Sequence, residues 1–454
     1  MSSVRLDVAV RRPSILIAAA LLLVCLPSHL QTVAGSGRVT VADLAAGLAV
    51  AVIAVGSLAD GASSNRGGWL PFAAVVTSVA IAAVVASDLN ESLVGFVRYT
   101  ELFVLIPVAV AMALRDRVDV FLVAGAFIAV TVIEGAVGVW QYLTRTGASY
   151  AGEYVRAVGT FGAEQVMALG SLVGYGIVVT LGLGLAVHGR ARLAFVATAA
   201  LLTLALALSL SRGAWIATAC AVLMVLFVFS WRLGTAALAT AAFVLAVLAA
   251  GAGPQSSAVD GRFTSIASSG SHPDRSVRDR YALWSTAVDI WADHPVVGVG
   301  LKDFARFRDT YAPMSLSAGS DVDDLTAGFR RQPLLSAHNQ YLMVLSEQGS
   351  VGILSFGSLL GTLTVGAFRR RPVSSPAPTR EPAPSREPAE ESTPSVDARF
   401  LDLVAPGVMT WTLIDFLYGD IGAGPTGVML AVLLGLVARR SVIVPRPRMQ
   451  EARR

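Results

Sequence analysis

The chain is built from unbroken apolar blocks of about twenty residues, and no other feature constrains its fold as strongly. A block of that length crosses a bilayer as one helix, because a spanning segment must satisfy its own backbone hydrogen bonds. Twelve such blocks can be read: 14–33, 39–58, 69–87, 93–114, 118–143, 165–187, 193–210, 213–230, 233–252, 335–368, 399–418 and 422–438. They are continuous and do not alternate with period two, which excludes an outer-membrane barrel. Only 15% of the residues are charged and 54% are hydrophobic, whereas a soluble domain is about 25% charged. A soluble enzyme, a secreted disulfide scaffold and a disordered protein are excluded. The expectation is an all-α polytopic membrane protein with about twelve transmembrane helices.

The connections carry the topology. Arg5, Arg11 and Arg12 precede the first block as in a signal peptide, but no clear cleavage site follows, so the block reads as a retained first helix. With the N-terminus inside, alternate connections hold Arg66, Arg115 and Arg117, Arg190 and Arg192, Arg232, Arg369–Arg371, and Arg439 and Arg440. Short loops on the other side hold only Arg38, Arg145, Arg156 and Arg212. Arginine excess on one side marks the cytoplasm, which predicts a multi-pass protein of the plasma (inner) membrane with both termini cytoplasmic. The net charge of +4 then reflects loop placement and not nucleic-acid binding. Cys25 and Cys220 lie inside apolar blocks and read as small hydrophobes.

Two segments are not membrane. Residues 253–334 form a long polar loop expected outside. Residues 372–397 are proline-rich and nearly repeat Pro-Thr-Arg-Glu-Pro-Ala as Pro-Ser-Arg-Glu-Pro-Ala, which reads as a disordered cytoplasmic linker. The organisation expected is a membrane domain of ten helices over 1–371, the linker, two last helices over 398–440, and a cytoplasmic tail, 441–454.

No Walker loop, dinucleotide fingerprint, H-E-x-x-H or C-x-x-C occurs, and the five histidines form no Cys/His cluster, so neither metal nor cofactor is expected. The informative residues are charges at the outer face. Arg212 sits in a tight turn between two blocks, on the side where arginine is disfavoured. It reads either as an interfacial arginine snorkelling to water or as a phosphate ligand. In the long loop, Ser276 and Asp279 have capping-box spacing. Val277, Tyr281, Trp284, Val288 and Trp291 follow as one apolar stripe, and Asp293-His294-Pro295 ends the helix. Arg280 falls about 60° from the centre of that stripe and Arg278 about 100° away on its other side. A plain amphipathic helix resting on the membrane is the competing reading. His338 begins the tenth block, where a helix N-terminus suits an anion and a histidine can serve as general base. Arg98, Glu101, Glu134, Asp402 and Asp415 lie within blocks and must face protein or a wet cavity. Arg98 and Glu101 have the i, i+3 spacing of an ion pair.

Four motifs then carry a resemblance: Ser-Leu-Ser-Arg-Gly-Ala-Trp at 209–215, Arg280-Tyr-Ala-Leu-Trp284, Asp293-His-Pro-Val-Val-Gly-Val-Gly-Leu-Lys-Asp-Phe304, and Ala337-His-Asn-Gln-Tyr-Leu342 followed by Glu347-Gln-Gly349. In their order, and in the large loop that separates them, the chain resembles the bacterial O-antigen ligase and polymerase superfamily over roughly residues 200–355. Gln141-Tyr142-Leu143 and Gly159-Thr-Phe-Gly162 are similar to the family more weakly. The resemblance implies a GT-C-like fold. It also implies metal-independent transfer of a glycan from undecaprenyl pyrophosphate to an acceptor hydroxyl at the outer membrane face. The implied partners are that lipid-linked donor, a glycan, lipid or protein acceptor, and membrane lipids. On this reading Arg212 and Arg280 stabilise the pyrophosphate, and His338 deprotonates or orients the acceptor hydroxyl, so that single displacement inverts the anomeric centre. Asn339 holds the helix start, and Arg278, Trp284, Arg98 and Arg156 are further candidates for substrate contact. The alternatives are a repeat-unit polymerase of the same superfamily and a twelve-helix transporter. Against the transporter, the halves show no repeat and the polar residues gather at one surface, not at the midplane.

Overall fold

A computed structural model describes residues 12–26, 40–59, 66–150, 156–162, 165–249, 275–314, 316, 319–324, 328–369, 395–421 and 426–441. Arg5, Arg11, Arg38, the first part of the outer loop (253–274), all but the last three residues of the proline-rich linker and nearly all of the tail lie outside the described residues.

The expected all-α class holds. The helices are α1 Ser14–Leu23, α2 Val41–Ala59, α3 Leu70–Val85, α4 Leu89–Ala113 with one π-helical turn at Glu101–Leu105, and α5 Arg117–Thr144. They continue with α6 Ala168–Ala186, α7 Gly189–Leu208, α8 Arg212–Phe229, α9 Trp231–Ala249 and α10 Arg275–Asp293. The last are α11 Phe304–Tyr311, α12 Gln340–Phe368, α13 Val396–Asp415 and α14 Thr426–Ser441. Each of the twelve apolar blocks falls on one of these helices. Among the described residues, α4, α5, α6, α7, α8 and α12 are the six that are both long and apolar enough to cross a membrane, while α1, α2 and α3 are shorter apolar helices. A small antiparallel sheet of β1 Ser149–Tyr150, β2 Ser320–Asp324 and β3 Gly328–Gln332 joins two of the loops.

The centre of the bundle is α6, buried over nearly its whole length. Its glycines permit this: a Cβ on Gly176 would lie 2.1 Å from Thr131 Cγ2 of α5, and one on Gly174 would lie 2.5 Å from Thr218 Oγ1 of α8. Small residues let helix backbones approach closely where lipid gives no hydrophobic drive. Trp411 of α13 stacks on Tyr175 and donates to Thr218 Oγ1 at 2.9 Å.

The intrablock charges face protein. Glu134 accepts from the Thr160 backbone N–H at 2.8 Å and its hydroxyl at 2.7 Å. Arg98 pairs with Asp43 of α2 and, at 3.5 Å, with Glu101. Asp402 pairs with Arg440, which also donates to the Arg369 carbonyl. That last pair lies at one end of the bundle. The same end holds Arg12 with Asp116 and, through Arg399 near His188 and both Arg192 and Arg399 over the Phe229 ring, the α6–α7 turn and the end of α8. Arg12, Arg192, Arg369 and Arg440 therefore share one end of the bundle. The loops that carry the sequence-predicted site gather at the opposite end.

One helix departs from regularity. In α12, Gly349 has φ 64° and ψ −160°, a combination open essentially to glycine. The two i→i+4 bonds across it, Ser350 to Ser346 and Val351 to Glu347, are replaced by four others. The Val299 and Gly300 N–H groups donate to the Ser346 and Glu347 carbonyls, both at 3.0 Å. Ser350 and Val351 donate to the Pro295 and Val296 carbonyls at 2.9 and 3.1 Å. Irregular backbone within a membrane protein is tolerated where protein satisfies it in this way. The break bends the helix: Phe416 touches both Tyr341 and Phe356, with ring centroids 6.1 and 5.9 Å apart, although a straight helix would separate those two residues by about 22 Å. The first half of α12 joins α10, α11 and residues 299–304 and 334–337 in a small second core around Leu283, Ala287, Ile290, Phe304 and Ala337.

That core corrects the reading of α10. Its buried face is Leu283, Ala287 and Ile290, with Asp279 and Thr286 beside it. The stripe read from the sequence is at most half-buried: Trp284 packs at the edge of the core, while Tyr281 is 50% and Val288 41% exposed. Aromatic residues gave that stripe the higher apparent hydrophobicity, while smaller aliphatic side chains fill the narrow space against α12. The helix also begins at Arg275, so Ser276 lies within its first turn and does not cap it. The end at Asp293 is as read, closed by the His294 N–H on the Ile290 and Trp291 carbonyls.

Candidate functional site

The turn that follows α13, residues 416–421, organises the site. It receives three chain segments that are far apart in sequence.

The first is the start of α8. Between α7 and α8 the chain reverses in three residues, Ser209, Leu210 and Ser211, with Leu210 at φ 50°. Ser209 Oγ closes the end of α7 on the Leu206 carbonyl at 2.7 Å, and Trp215 Nε1 donates to the same carbonyl at 2.8 Å. Arg212 is therefore the first residue of α8 and half-buried. Gly213 lies against Tyr418, so close that an added Cβ would sit 3.3 Å from Tyr418 Cβ.

The second is α10. Arg280 lies between the buried face of the helix and its exposed aromatic stripe. Its Nη1 donates to the Tyr418 carbonyl at 2.7 Å, and Nη2 approaches Met167 Sδ at the start of α6 at 3.5 Å.

The third is the start of α12. Asn339 is its N-cap: the side-chain Oδ1 accepts from Leu342 N–H at 3.1 Å, and Nδ2 donates to the Leu417 carbonyl at 3.3 Å. The Gln340 N–H donates to the Phe416 and Gly419 carbonyls. Its side chain accepts from Ile421 N–H at 2.9 Å and donates to the Tyr99 hydroxyl at 2.6 Å. His338 immediately precedes this cap, with φ 47°, a strained backbone for a residue with a Cβ. Burial holds the His338 pKa below its usual value; Asp420 favours the protonated ring and Arg280 opposes it. Both charges lie within electrostatic reach of the imidazole.

The structure thus brings Arg212, Arg280, His338 and Asn339 to one turn. Trp284 packs against the second core and edge-on to Tyr281 at 5.5 Å, and its buried indole N–H has no acceptor among the described residues. Arg278 is exposed six residues before it, nearly two turns earlier on the same helix. Arg156 is held by the Ala148–Arg156 bridge beside the small sheet. Its loop is docked by the two weak motifs acting together: Gln141 Oε1 accepts from the Val158 and Gly159 N–H groups while its Nε2 donates to the Gly159 carbonyl. Ala157 N–H donates to the Leu208 carbonyl, which fixes that loop next to the turn bearing Arg212. Arg98 is placed differently, within the Asp43–Arg98–Glu101 ion-pair group.

Sequence reasoning did not single out Gln340, Tyr418 or Asp420. Gln340 was within a quoted motif. The 416–421 turn had no side-chain signature, because it works mainly through backbone carbonyls that any residue supplies. Among the described residues no group of three His, Cys, Asp or Glu side chains is placed to hold a metal ion.

Fold and site together define a polytopic helical membrane protein with arginines and a histidine gathered at one end of the bundle. Residues 197–357 match the family model of the O-antigen ligase. The match bears out the resemblance seen in the motifs: over this segment, about a third of the chain, the protein is similar to the O-antigen ligase family. Arg212, Arg278, Arg280, Trp284, His338 and Asn339 lie inside the segment; Arg98 and Arg156 lie outside it. No curated protein sequence gives a significant match.

Proposed function

We propose that the protein transfers a glycan from undecaprenyl pyrophosphate to an acceptor hydroxyl at the outer face of the plasma membrane, as a ligase-type glycosyltransferase. The observation that carries this reading is the convergence of Arg212, Arg280 and His338 on residues 416–421, at the end of the bundle opposite the basic connections. The arginine asymmetry supports a cytoplasmic basic face and hence an external site.

The chemistry follows from charge and protonation. The acceptor oxygen attacks the anomeric carbon as the bond from that carbon to the pyrophosphate oxygen breaks. The leaving pyrophosphate takes the bonding electrons, and arginine is suited to it by a planar fork that pairs with phosphate oxygens. The hydroxyl proton passes to the His338 imidazole, which a lowered pKa keeps neutral and able to accept it. One displacement inverts the anomeric configuration. Asn339 fixes the backbone beside His338, and Trp284 and Arg278 line the approach from the outer helix. The ion pairs of Arg98 support a structural role for it.

Purified protein incubated with a lipid-linked oligosaccharide, with and without a candidate lipid or protein acceptor, tests the reading. Transfer that requires the acceptor marks a ligase, and chain growth with donor alone marks a polymerase. Failure to release undecaprenyl pyrophosphate in both reactions would sink the transferase reading in favour of a carrier. Arg280→Ala and His338→Ala are each expected to abolish transfer while membrane insertion persists.

A further inference from the structure

Ser211 is 5% exposed and stands at the N-cap of α8, a helix of 18 residues. A serine there ordinarily turns its oxygen onto an N–H of the first turn. Asp88, Asp116 and Asn339 do so on α4, α5 and α12. Ser211 does not: its side chain makes no capping bond, and its buried Oγ has no partner among the described residues. A buried hydroxyl is costly to leave unbonded. The same helix end presents backbone N–H groups that a helix does not satisfy internally, along with the positive end of its dipole.

We propose that Ser211 is a phosphoryl-binding residue: its hydroxyl donates to an oxygen of a phosphate ester or pyrophosphate seated on the first turn of α8. The hydroxyl and the N-terminal N–H groups form one side of this cradle. The guanidinium of Arg212, the next residue, supplies charge beside it. Gly213 keeps the first turn against Tyr418, whose carbonyl holds Arg280, so both α8 and the second guanidinium meet at the same residue. Hydroxyl, backbone N–H and guanidinium are all donors, which selects a group that only accepts, as a dianionic phosphoryl does. This deepens the proposed function and rests on it, in that the phosphoryl group is taken to be the donor's pyrophosphate.

The test uses the purified full-length chain and two probes, inorganic pyrophosphate and undecaprenyl pyrophosphate in detergent micelles, with affinity and the ligand-induced rise in unfolding temperature measured for each. Ser211→Ala is expected to bind both probes about tenfold more weakly, roughly 1.4 kcal/mol, to raise KM for the lipid donor, and to unfold without ligand at or above the wild-type temperature. Ser211→Thr, which keeps the hydroxyl, is expected to restore affinity. An ordinary cap would behave oppositely, so a lowered ligand-free unfolding temperature with unchanged affinity overturns the assignment. Weakening of the lipid probe alone overturns it too, because the hydroxyl is assigned to the phosphoryl group both probes carry. Weak binding in Arg212→Ala and Arg280→Ala but not in Ser211→Ala removes Ser211 and leaves the pyrophosphate reading standing. No binding of either probe by the wild type removes both.

Discussion

Gln340→Leu separates the framework of the site from its chemistry. The substitution keeps nearly the same volume and retains the backbone N–H that donates to Phe416 and Gly419. It deletes only the side-chain bonds to the Tyr99 hydroxyl and the Ile421 N–H. Tyr99 keeps a second amide neighbour in Gln348, so that end loses one ordinary bond, about 1 kcal/mol. The Ile421 N–H loses its Gln340 acceptor in a half-buried turn, which costs about 1–3 kcal/mol. The expected loss of stability is therefore about 2–4 kcal/mol, read as a lower unfolding temperature in detergent. Loosening Ile421 also loosens the turn whose Tyr418 carbonyl positions Arg280. A misplacement near 1 Å costs about a hundredfold in rate, so kcat should fall by about one to two orders of magnitude while membrane insertion is retained. Wild-type kcat together with a wild-type unfolding temperature would refute the argument that this turn holds the site together.

Gly349→Ala must abandon a glycine-only conformation and would place a Cβ 2.4 Å from the Val296 carbonyl. Backbone strain of about 1–3 kcal/mol adds to that clash, and a much reduced yield of folded protein in detergent size-exclusion is expected. The transfer rate should be governed by neutral His338, whose pKa lies below its usual 6.5 because of burial. Activity is then present above that pKa and is lost as pH falls through it, so the acid limb of the kcat/KM profile should lie below pH 6.5. Asp420→Asn, which removes the charge favouring protonation, should move the limb further to acid; a limb that moves towards neutral pH would contradict the arrangement. Arg98→Ala leaves two carboxylates close together and is expected to cost about 3–5 kcal/mol of stability, seen in thermal unfolding, while activity per folded molecule stays within about threefold. A selective loss of activity would return Arg98 to the substrate contacts.

How much of this was legible depended on where the information lies. The helices were readable because each apolar block satisfies its own backbone, so length and hydropathy suffice. Arg212 and His338 were readable because arginine and histidine are unexpected at those ends of apolar blocks, and Arg280 because it sits on a helix signalled by periodicity inside a polar loop. The orientation of α10 was misread because two stripes compete on one helix, and packing favoured Leu283, Ala287 and Ile290 over the larger aromatic residues. The 416–421 turn was invisible because its acceptors are carbonyls. The break in α12 was hidden as well: Gly349 lies in the short polar stretch Ser346–Ser350 of a helix-length block, and the partners that open it come from residues 295–300, far away in sequence.

Residues 340–368 taken alone would form a straight helix about 43 Å long, with every interior hydrogen bond made and His338 carried away from Phe416. The bent form is reached only when Pro295, Val296, Val299 and Gly300 take over the opened bonds. The position of the histidine is thus encoded some forty residues upstream of it, in a stretch that acts through its backbone. During synthesis that stretch precedes α12, so on the proposed topology it is already across the bilayer when α12 arrives. It acts as a template: a change in its backbone would displace the imidazole without altering any residue of the site.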